Sequence, residues 1–341
     1  MARRPRGFGR PTIADVAEAA GVSAITVSRA LRTPERVSEA TRARVTSAVA
    51  ALEYVPDAAA SALASRRTDT VGVIVPSVTN AVFRDTLRGL YAAAEVAGLQ
   101  IQMANSSYDP EGEERLIRLF ISQRPAALIV TGVDQSPAGR ALLAAAPCPV
   151  VQIHELGPEP IDMMVGFDHA DAVALAAGHL VEAGYRRIGF LGRRDDPRAR
   201  RRIEGFAAAL DRVGMLDPTR IIASSGPSSV AAGAEQLAEL LAADPKADAV
   251  LCNNDELALG VLFECHRRGL SVPEQFGICG FNDFEWMAVA EPSLTSVRTP
   301  RYEIGWRAME LVKLHLERPT ASVREALPVT LEVRASTRRG P

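Results

Sequence analysis

Six residues near the start of this 341-residue chain place hydroxyl, guanidinium and small apolar groups within about two helical turns. They are Ser23, Ala24, Ile25, Thr26, Ser28 and Arg29. Hydroxyl and guanidinium groups hydrogen-bond to phosphates and to the edges of bases, and small apolar groups contact thymine methyls. The pattern therefore predicts non-covalent reading of duplex DNA. The competing interpretation is a small helical bundle with no DNA role.

A short helix before this segment is expected to support it. Thr12 and Asp15 form a capping-box-like start, in which a side-chain oxygen satisfies free backbone N–H groups. Gly21 follows at a position where a left-handed backbone is favourable. The apolar stripe of this helix consists of Val16, Ala17 and Ala20.

Two further helices complete the predicted N-terminal unit. Ser23 is expected to cap the second helix, and Val27 and Leu31 are expected to face the core. A third helix is predicted from Ser38 to about Leu52. This arrangement is a helix-turn-helix, in which the second helix enters the major groove.

The rest of the chain alternates apolar strands with helices. Strands are predicted at residues 71–75, 100–104, 127–130, 150–153, 188–191, 249–252 and 277–280. Helices are predicted at residues 84–97, 113–122, 170–183, 203–213, 230–242 and 257–268. This alternation indicates parallel sheets covered by helices on both faces. Because about 270 residues are too many for one such sheet, two lobes are expected.

Charge is distributed unevenly along the chain. Residues 1–68 contain 11 arginines and 6 acidic residues, a net charge of +5, whereas the remainder contains 28 basic and 35 acidic residues, a net charge of -7. A basic N-terminal segment followed by an acidic remainder is typical of a nucleic-acid-binding module joined to a separate domain. A merely solvated basic terminus would give the same asymmetry.

Several other classes of protein lack support in the sequence. The basic start is not followed by an apolar core, so a signal peptide is not expected, and without a transmembrane segment the protein is expected in the cytoplasm. No nucleotide-binding, zinc-protease or nucleophile-elbow motif is present. The acidic pairs Glu113–Glu114 and Asp195–Asp196 are expected on solvated faces. We therefore expect no catalytic residues, cofactor or metal, and we expect four reduced cysteines.

The run from Thr12 to Thr68 resembles the headpiece and hinge of the LacI family of bacterial transcription regulators, and the resemblance continues to about Arg338. The matching pieces are Ile13-Ala-Asp-Val-Ala, Ala20-Gly-Val-Ser, Thr26-Val-Ser-Arg29, Val37-Ser-x-x-Thr-Arg42, Leu52-x-Tyr-x-Pro56 and Ala60-x-x-Leu-Ala64. It implies an all-α helix-turn-helix headpiece followed by a two-lobed α/β effector domain of the periplasmic-binding-protein type I fold.

The resemblance also implies domain boundaries. A basic tail would span residues 1–10, the headpiece 11–56, the hinge helix 57–68 and the effector domain 69–341. Within the effector domain, one lobe would comprise about 69–167 and 298–327, and the other about 168–297 and 328–338. The absence of leucine heptads at the end implies that no tetramerising coil follows.

At the DNA end, the family's base-reading positions fall on Ala24, Ile25 and Arg29. Arg29 would pair with guanine, or would contact phosphate or form a structural ion pair. Leu63 would act as a minor-groove wedge of the hinge, or would be an ordinary helix-anchoring leucine. Asp57 departs from the asparagine that family members often carry there. Expected phosphate contacts are Ser23, Thr26, Ser28, Arg36, Ser38 and Thr41.

In the effector domain, the resemblance implies a cleft lined by polar side chains at strand ends. Arg202 suits a carboxylate or phosphate. His154 would be a cationic or donor imidazole favouring an anion, or a packed histidine. Asn254, Asp255 and Asn282 would bind hydroxyl groups, or would serve as helix caps and turns. The remaining expected contacts are Asn80, Phe83, Phe167 and Asp168.

Three stretches resemble the gluconate-repressor subgroup: Val165-Gly-Phe-Asp-His169, the run from Leu262 to Pro273, and the run from Leu294 to Arg301. They imply a homodimeric repressor that binds a palindromic operator and whose affinity a sugar or sugar-acid effector controls. A gluconate-like effector is favoured, and a neutral sugar or a sugar phosphate stays open. The alternative function is that of a sugar-transport-type binding protein without DNA activity.

Overall fold

The computed structural model describes residues 11–55, 68–319 and 321–339. The chain divides into two compact units, residues 1–68 and 69–341. The expected basic tail at 1–10 and the expected hinge residues 57–67, with Asp57 and Leu63, lie outside the described residues.

The first unit contains three helices: α1 (Ile13–Ala20), α2 (Ala24–Arg32) and α3 (Glu39–Ala51). Thr12 and Asp15 form a reciprocal capping box, and Gly21 ends α1 at a φ of 62°. Ser23 and Ser38 cap α2 and α3. The buried core consists of Val16, Ala17, Ala20, Val27, Ala30, Val45 and Ala48.

The expectation for Leu31 is wrong, because its side chain is 38% exposed. Val27 and Ala30 occupy the inward positions of α2 instead. Leu31 lies about 40° round the helix from Val27, on the side opposite Ala30, so it sits at the edge of the buried face.

The second unit contains two six-stranded sheets. The strands are β1 (Thr70–Val75), β2 (Gln100–Asn105), β3 (Ala127–Thr131), β4 (Val150–Ile153), β5 (Met163–Gly166), β6 (Ile188–Arg193), β7 (Ile221–Ser224), β8 (Ala249–Cys252), β9 (Gly277–Asn282), β10 (Thr295–Arg298), β11 (Val323–Ala326) and β12 (Thr330–Glu332). The first sheet has the order β11-β5-β4-β3-β1-β2 and the second has the order β12-β10-β9-β8-β6-β7. All neighbours are parallel except β10 and β12.

Helices cover these sheets. They are α4 (Val82–Ala97), α5 (Pro110–Ser122), α6 (Pro137–Ala144), α7 (His169–Glu182), α8 (Pro197–Asp211), α9 (Val230–Ala243), α10 (Asp255–Arg268), α11 (Glu285–Val289) and α12 (Arg301–Glu317). The chain passes between the sheets after β5, after β10 and after β11. Each sheet therefore forms one lobe, which we call the N lobe (first sheet) and the C lobe (second sheet).

Strands β3, β4 and β8 are buried on both faces and are apolar except at Thr131 and Gln152, as expected for covered parallel sheets. All four cysteines are free, and Cys148 is half-buried whereas the other three are buried. Among the described residues, no helix combines the length and hydrophobicity that a membrane span requires.

Candidate DNA-reading face and effector cavity

The outward face of α2 carries the residues that the sequence singled out for DNA. Ala24 and Arg29 are exposed, Ser28 is half-buried, and the Ile25 side chain is 66% exposed. An isolated apolar side chain as exposed as Ile25 is available for contact with a partner surface. The outward face of α2 therefore offers one guanidinium, one hydroxyl and two apolar groups.

The N-termini of α2 and α3 both carry capping hydroxyl groups. The Ser23 hydroxyl accepts a hydrogen bond from the Thr26 backbone N–H at 3.2 Å, and the Ser38 hydroxyl accepts one from the Thr41 N–H at 3.4 Å. Arg36 is exposed just before α3. Helix N-termini with capping hydroxyls favour phosphate oxygens, so this placement is compatible with the predicted backbone contacts.

A cavity of about 260 Å³ lies between the two lobes. Its walls come from the carboxyl ends of nine strands and the segments that follow them: β1, β2, β4, β5, β6, β7, β8, β9 and β10. Ligands bind at this edge in open parallel sheets. Its volume suits a single small molecule of about monosaccharide size.

Arg202 is the most deeply buried cation of the cavity wall, with 8% of its surface exposed. Its Nε donates to His169 Nδ1 at 3.2 Å, and its Nη1 donates to the Asn253 carbonyl at 2.7 Å. The guanidinium lies 3.9 Å from the Phe281 ring centre. Burial lowers the pKa of Arg202 to about 10, which leaves it fully charged near neutral pH. Its Nη2 makes no hydrogen bond to any described residue.

Arg198 lies one helical turn before Arg202 on the same side of α8 and also lines the cavity. Its Nε donates to Asp196 Oδ1 at 3.1 Å. Burial lowers the pKa of Arg198, but Asp196, Tyr108 and Glu155 together more than offset this, so the pKa is raised overall. The sequence signal for Arg198 was its spacing of four residues from Arg202, which puts both guanidinium groups on one helix face.

His154 follows β4 with a φ of 74° and is almost completely buried. Its Nε2 lies 2.9 Å from the Thr86 hydroxyl, and the Phe83 ring packs edge-on against it at 5.3 Å. Burial, together with the neighbouring arginines, lowers the pKa of His154 to about 3. The expectation of a cationic imidazole is therefore wrong, and a neutral hydrogen-bonding histidine remains.

On the N-lobe wall, Asn80 holds the start of α4. Its Oδ1 accepts from the Val82 N–H at 3.1 Å, and its Nδ2 donates to the Tyr108 hydroxyl at 3.3 Å. Tyr108, which the sequence analysis missed, thus reaches the cavity from the loop after β2. Phe83 and Phe167 supply buried apolar surface to the same cavity.

The predicted residues at C-lobe strand ends differ in their placement. Asn254 lines the cavity and also caps α10, accepting from the Leu257 N–H at 3.1 Å. Asn282 lines the cavity at a φ of 113°. Both the ligand-facing and the structural interpretations therefore apply to Asn254.

Two predicted contacts are corrected by the structure, since neither lines the cavity. Asp255 is fully buried, and its oxygens accept from the Ser296 hydroxyl and the Phe284 N–H, each at 2.7 Å. Burial raises the pKa of Asp255 to about 7. Asp168 is exposed and caps α7 through the Ala170 and Asp171 N–H groups. The Asp255 carboxylate therefore stabilises the packing of the C lobe and the Asp168 carboxylate stabilises the start of α7, and neither faces the cavity.

The cavity also contains polar residues that sequence reasoning did not select. They come from loops, helix starts and the end of β6, and they are Ser77, Thr79, Tyr108, His169, Arg193, Asp196, Arg198, Ser228, Asn253, Glu256 and Thr299. Burial lowers the pKa of His169 well below its usual range, so this ring is also neutral. Burial raises the pKa of Glu256.

Comparisons with known proteins match both units. Residues 12–57 match the family model described as bacterial regulatory proteins, lacI family, and residues 177–337 match the periplasmic binding protein-like domain. The HTH-type transcriptional regulator GntR of Pseudomonas aeruginosa is 41% identical over 308 residues, which cover 90% of each chain.

Two solved structures share the whole architecture. A LacI family transcriptional regulator from Silicibacter pomeroyi superimposes with a TM-score of 0.88 at 38% identity, covering 96% of this chain and 100% of that one. A crystal structure of the lac repressor dimer bound to operator and the anti-inducer ONPF gives a TM-score of 0.85 at 26% identity, covering 96% and 99%.

Proposed function

This chain belongs to the lacI family of bacterial regulatory proteins, and from that premise we propose an anionic polyhydroxy acid as its effector. The protein is a DNA-binding transcriptional regulator with an effector-binding domain, and it is not an enzyme. We propose the identity of its effector, the residues that contact the effector and DNA, and its cellular location.

The charge balance of the cavity carries the proposal. Three guanidinium groups, those of Arg193, Arg198 and Arg202, face two carboxyl groups, those of Asp196 and Glu256. Both histidines of the wall are neutral because burial lowers the pKa of each. Arg193 lies 3.7 Å from Asp195 and Arg198 lies 3.1 Å from Asp196, whereas Arg202 has no carboxylate partner among the described residues, so a single ligand carboxylate would pair with it.

The rest of the lining is suited to hydroxyl groups. Amides and hydroxyls from both lobes surround the arginines, and the aromatic ring of Phe83 closes one side. A short chain of hydroxylated carbons ending in a carboxylate satisfies both features. Gluconate is such a molecule, and the relative from Pseudomonas aeruginosa carries the name GntR.

At the DNA end, we propose that Ala24, Ile25 and Arg29 contact base edges in the major groove. Ser23, Thr26, Ser28, Arg36, Ser38 and Thr41 would contact phosphates. The lac repressor dimer bound to operator, which shares this architecture, supports a homodimer on a palindromic site. Repression in the cytoplasm, where chromosomal DNA lies, completes the proposal.

The test compares two molecules that differ only in the group at issue. Gluconate and sorbitol share a chain of five hydroxylated carbons, and the sixth carbon is a carboxylate in gluconate but a hydroxymethyl group in sorbitol. Ligand binding to the folded state raises the melting temperature by mass action. We expect gluconate, and not sorbitol, to raise the melting temperature of the full chain and to change its affinity for operator DNA. Equal shifts with both molecules would contradict an anionic effector.

A further inference from the structure

An ion cluster joins the two lobes beside the effector cavity without lining it. Arg201 of the C lobe donates from Nη1 to Asp134 Oδ2 at 2.8 Å and from Nη2 to Asp134 Oδ1 at 2.6 Å. The same Nη1 lies 2.8 Å from Glu155 Oε1. Asp134 and Glu155 follow β3 and β4, so both carboxylates belong to the N lobe. We call these three residues the lobe bridge.

The bridge and the cavity share two stretches of backbone. Arg201 precedes Arg202 on α8, and Glu155 follows His154. The 154–155 segment is held closely, because a Cβ at Gly166 would lie 2.4 Å from the Glu155 nitrogen. A displacement of Arg201 or Glu155 therefore moves a cavity residue directly.

Burial makes the bridge sensitive to lobe separation. The Glu155 side chain is only 2% exposed, and its contact with Arg201 lacks hydrogen-bond geometry, so both oxygens are without a hydrogen-bond donor. Burial raises the pKa of Glu155 to about 7, although Arg201 acts in the opposite direction. A buried carboxylate depends on its paired cation, and that cation comes from the other lobe.

We propose that Arg201 is a positioning residue that holds the cleft closed by binding Asp134 and Glu155 across the lobes. It does not contact the effector. It raises the population of the closed arrangement, and so lets occupancy of the cavity and the arrangement of the lobes influence each other. Only the coupling to the effector rests on the proposed function, since the contact between the lobes is independent of the effector's identity.

The chain offers a matched control in the adjacent residue. Arg200 lies on the same helix and is exposed, and its Nη1 bonds to the Arg194 carbonyl of its own lobe at 3.3 Å. Arg201→Gln and Arg200→Gln therefore remove the same charge from neighbouring positions, but only the first breaks contacts between the lobes.

The primary experiment is hydrogen–deuterium exchange on the full chain without ligand. We expect R201Q to accelerate exchange of the cavity segments 77–83 and 281–284, which do not contact Arg201, whereas R200Q leaves them at the wild-type rate. Acceleration confined to residues near the bridge, such as 132–136 and 153–157, would show a local packing role and overturn the proposal. If R201Q does not fold, D134N removes one partner and is expected to act in the same direction.

A second measurement addresses coupling to the effector. We expect R201Q to raise the dissociation constant of gluconate about tenfold in calorimetric titration, within the usual range of coupling between sites, and R200Q to leave it unchanged. An unchanged constant in R201Q would overturn the coupling. If the wild type does not bind gluconate, the proposed effector is wrong. The exchange experiment still tests whether Arg201 holds the two lobes together.

Discussion

Arg29 on the DNA-reading face and Arg202 in the effector cavity are placed in opposite environments. Arg29 is exposed on α2. Arg202 is buried, and His169, Asn253 and the Phe281 ring hold its guanidinium in place. Arg29, which we propose contacts DNA, stays hydrated until a partner arrives, whereas Arg202, which we propose contacts the effector, has lost most of its contact with solvent during folding.

The two environments give the two sites different sources of specificity. A preorganised, desolvated cation binds a complementary anion strongly. If the cation is removed, the buried anion is left unpaired, and the loss of binding free energy is large. A hydrated cation on a mobile stem exchanges water for a base edge or a phosphate, with a smaller net gain in free energy. Removal of Arg202 should therefore have a larger effect than removal of Arg29.

The largest expected effect is that of Arg202→Met on effector binding. Methionine keeps much of the stem that packs near Phe281 but leaves the effector carboxylate without its buried partner. We expect a loss of about 2–5 kcal/mol, roughly a 30- to 4000-fold rise in the dissociation constant of gluconate. Calorimetric titration measures this, and operator affinity without ligand should stay within about twofold.

Arg200→Met is the matched control, because it removes an exposed arginine from the same helix. A gluconate affinity that stays at the wild-type value in R202M would contradict the assignment of Arg202. Equal losses in R202M and R200M would instead indicate a general electrostatic effect of the arginine-rich helix.

A smaller effect is expected from Arg29→Ala on DNA binding. If Arg29 pairs with guanine, the variant loses about 1–3 kcal/mol on the cognate operator and little on scrambled DNA. Fluorescence anisotropy at several salt concentrations measures both affinities. Arg36→Ala, at a predicted phosphate contact, should weaken both DNAs alike and lower the salt slope by about 1. If R29A also weakens binding to both DNAs alike, Arg29 contacts phosphate and does not pair with guanine.

The same contrast explains what the sequence could predict. The headpiece follows from adjacent residues, since Thr12, Gly21, Ser23 and Ser38 set the helix ends through local hydrogen bonds. The cavity follows from residues far apart in the chain. Its strand ends were predictable as apolar runs that stop at polar residues, but which of two neighbouring side chains faces the cleft depends on packing.

Asp255 and Tyr108 show where this dependence matters. Asp255 stands beside Asn254 at the same strand end, yet it turns inward to bind Ser296 and the Phe284 N–H. Tyr108 reaches the cavity only because its loop crosses to Asn80. Two four-residue strands were also missed. Thr295–Arg298 has only one apolar residue, and Ile221–Ser224 is a partly exposed strand at the edge of its sheet, so neither gives the continuous apolar run that marked the predicted strands.

The smallest expected effect concerns pH and the neutral histidine of the cavity. The pKa of His154 is about 3 in the folded chain because of burial and nearby arginines, whereas an unfolded histidine titrates near 6.5. As the pH falls below 6.5 the unfolded chain therefore takes up a proton that the folded chain refuses. Stability is fully present above 6.5 and is lost toward lower pH, by up to about 1.4 kcal/mol per pH unit for this group.

His154→Gln isolates this contribution, since glutamine can keep a hydrogen bond to Thr86 without titrating. Both tryptophans of the chain, Trp286 and Trp306, lie in the effector unit, so their fluorescence reports its urea unfolding. Between pH 6.5 and 5, H154Q should lose less stability than the wild type. His266→Gln, at an exposed position, controls for the loss of one histidine. Parallel pH curves for H154Q and the wild type would mean that His154 accepts a proton in the folded chain, which would restore the cationic imidazole and remove one argument for the charge balance of the cavity.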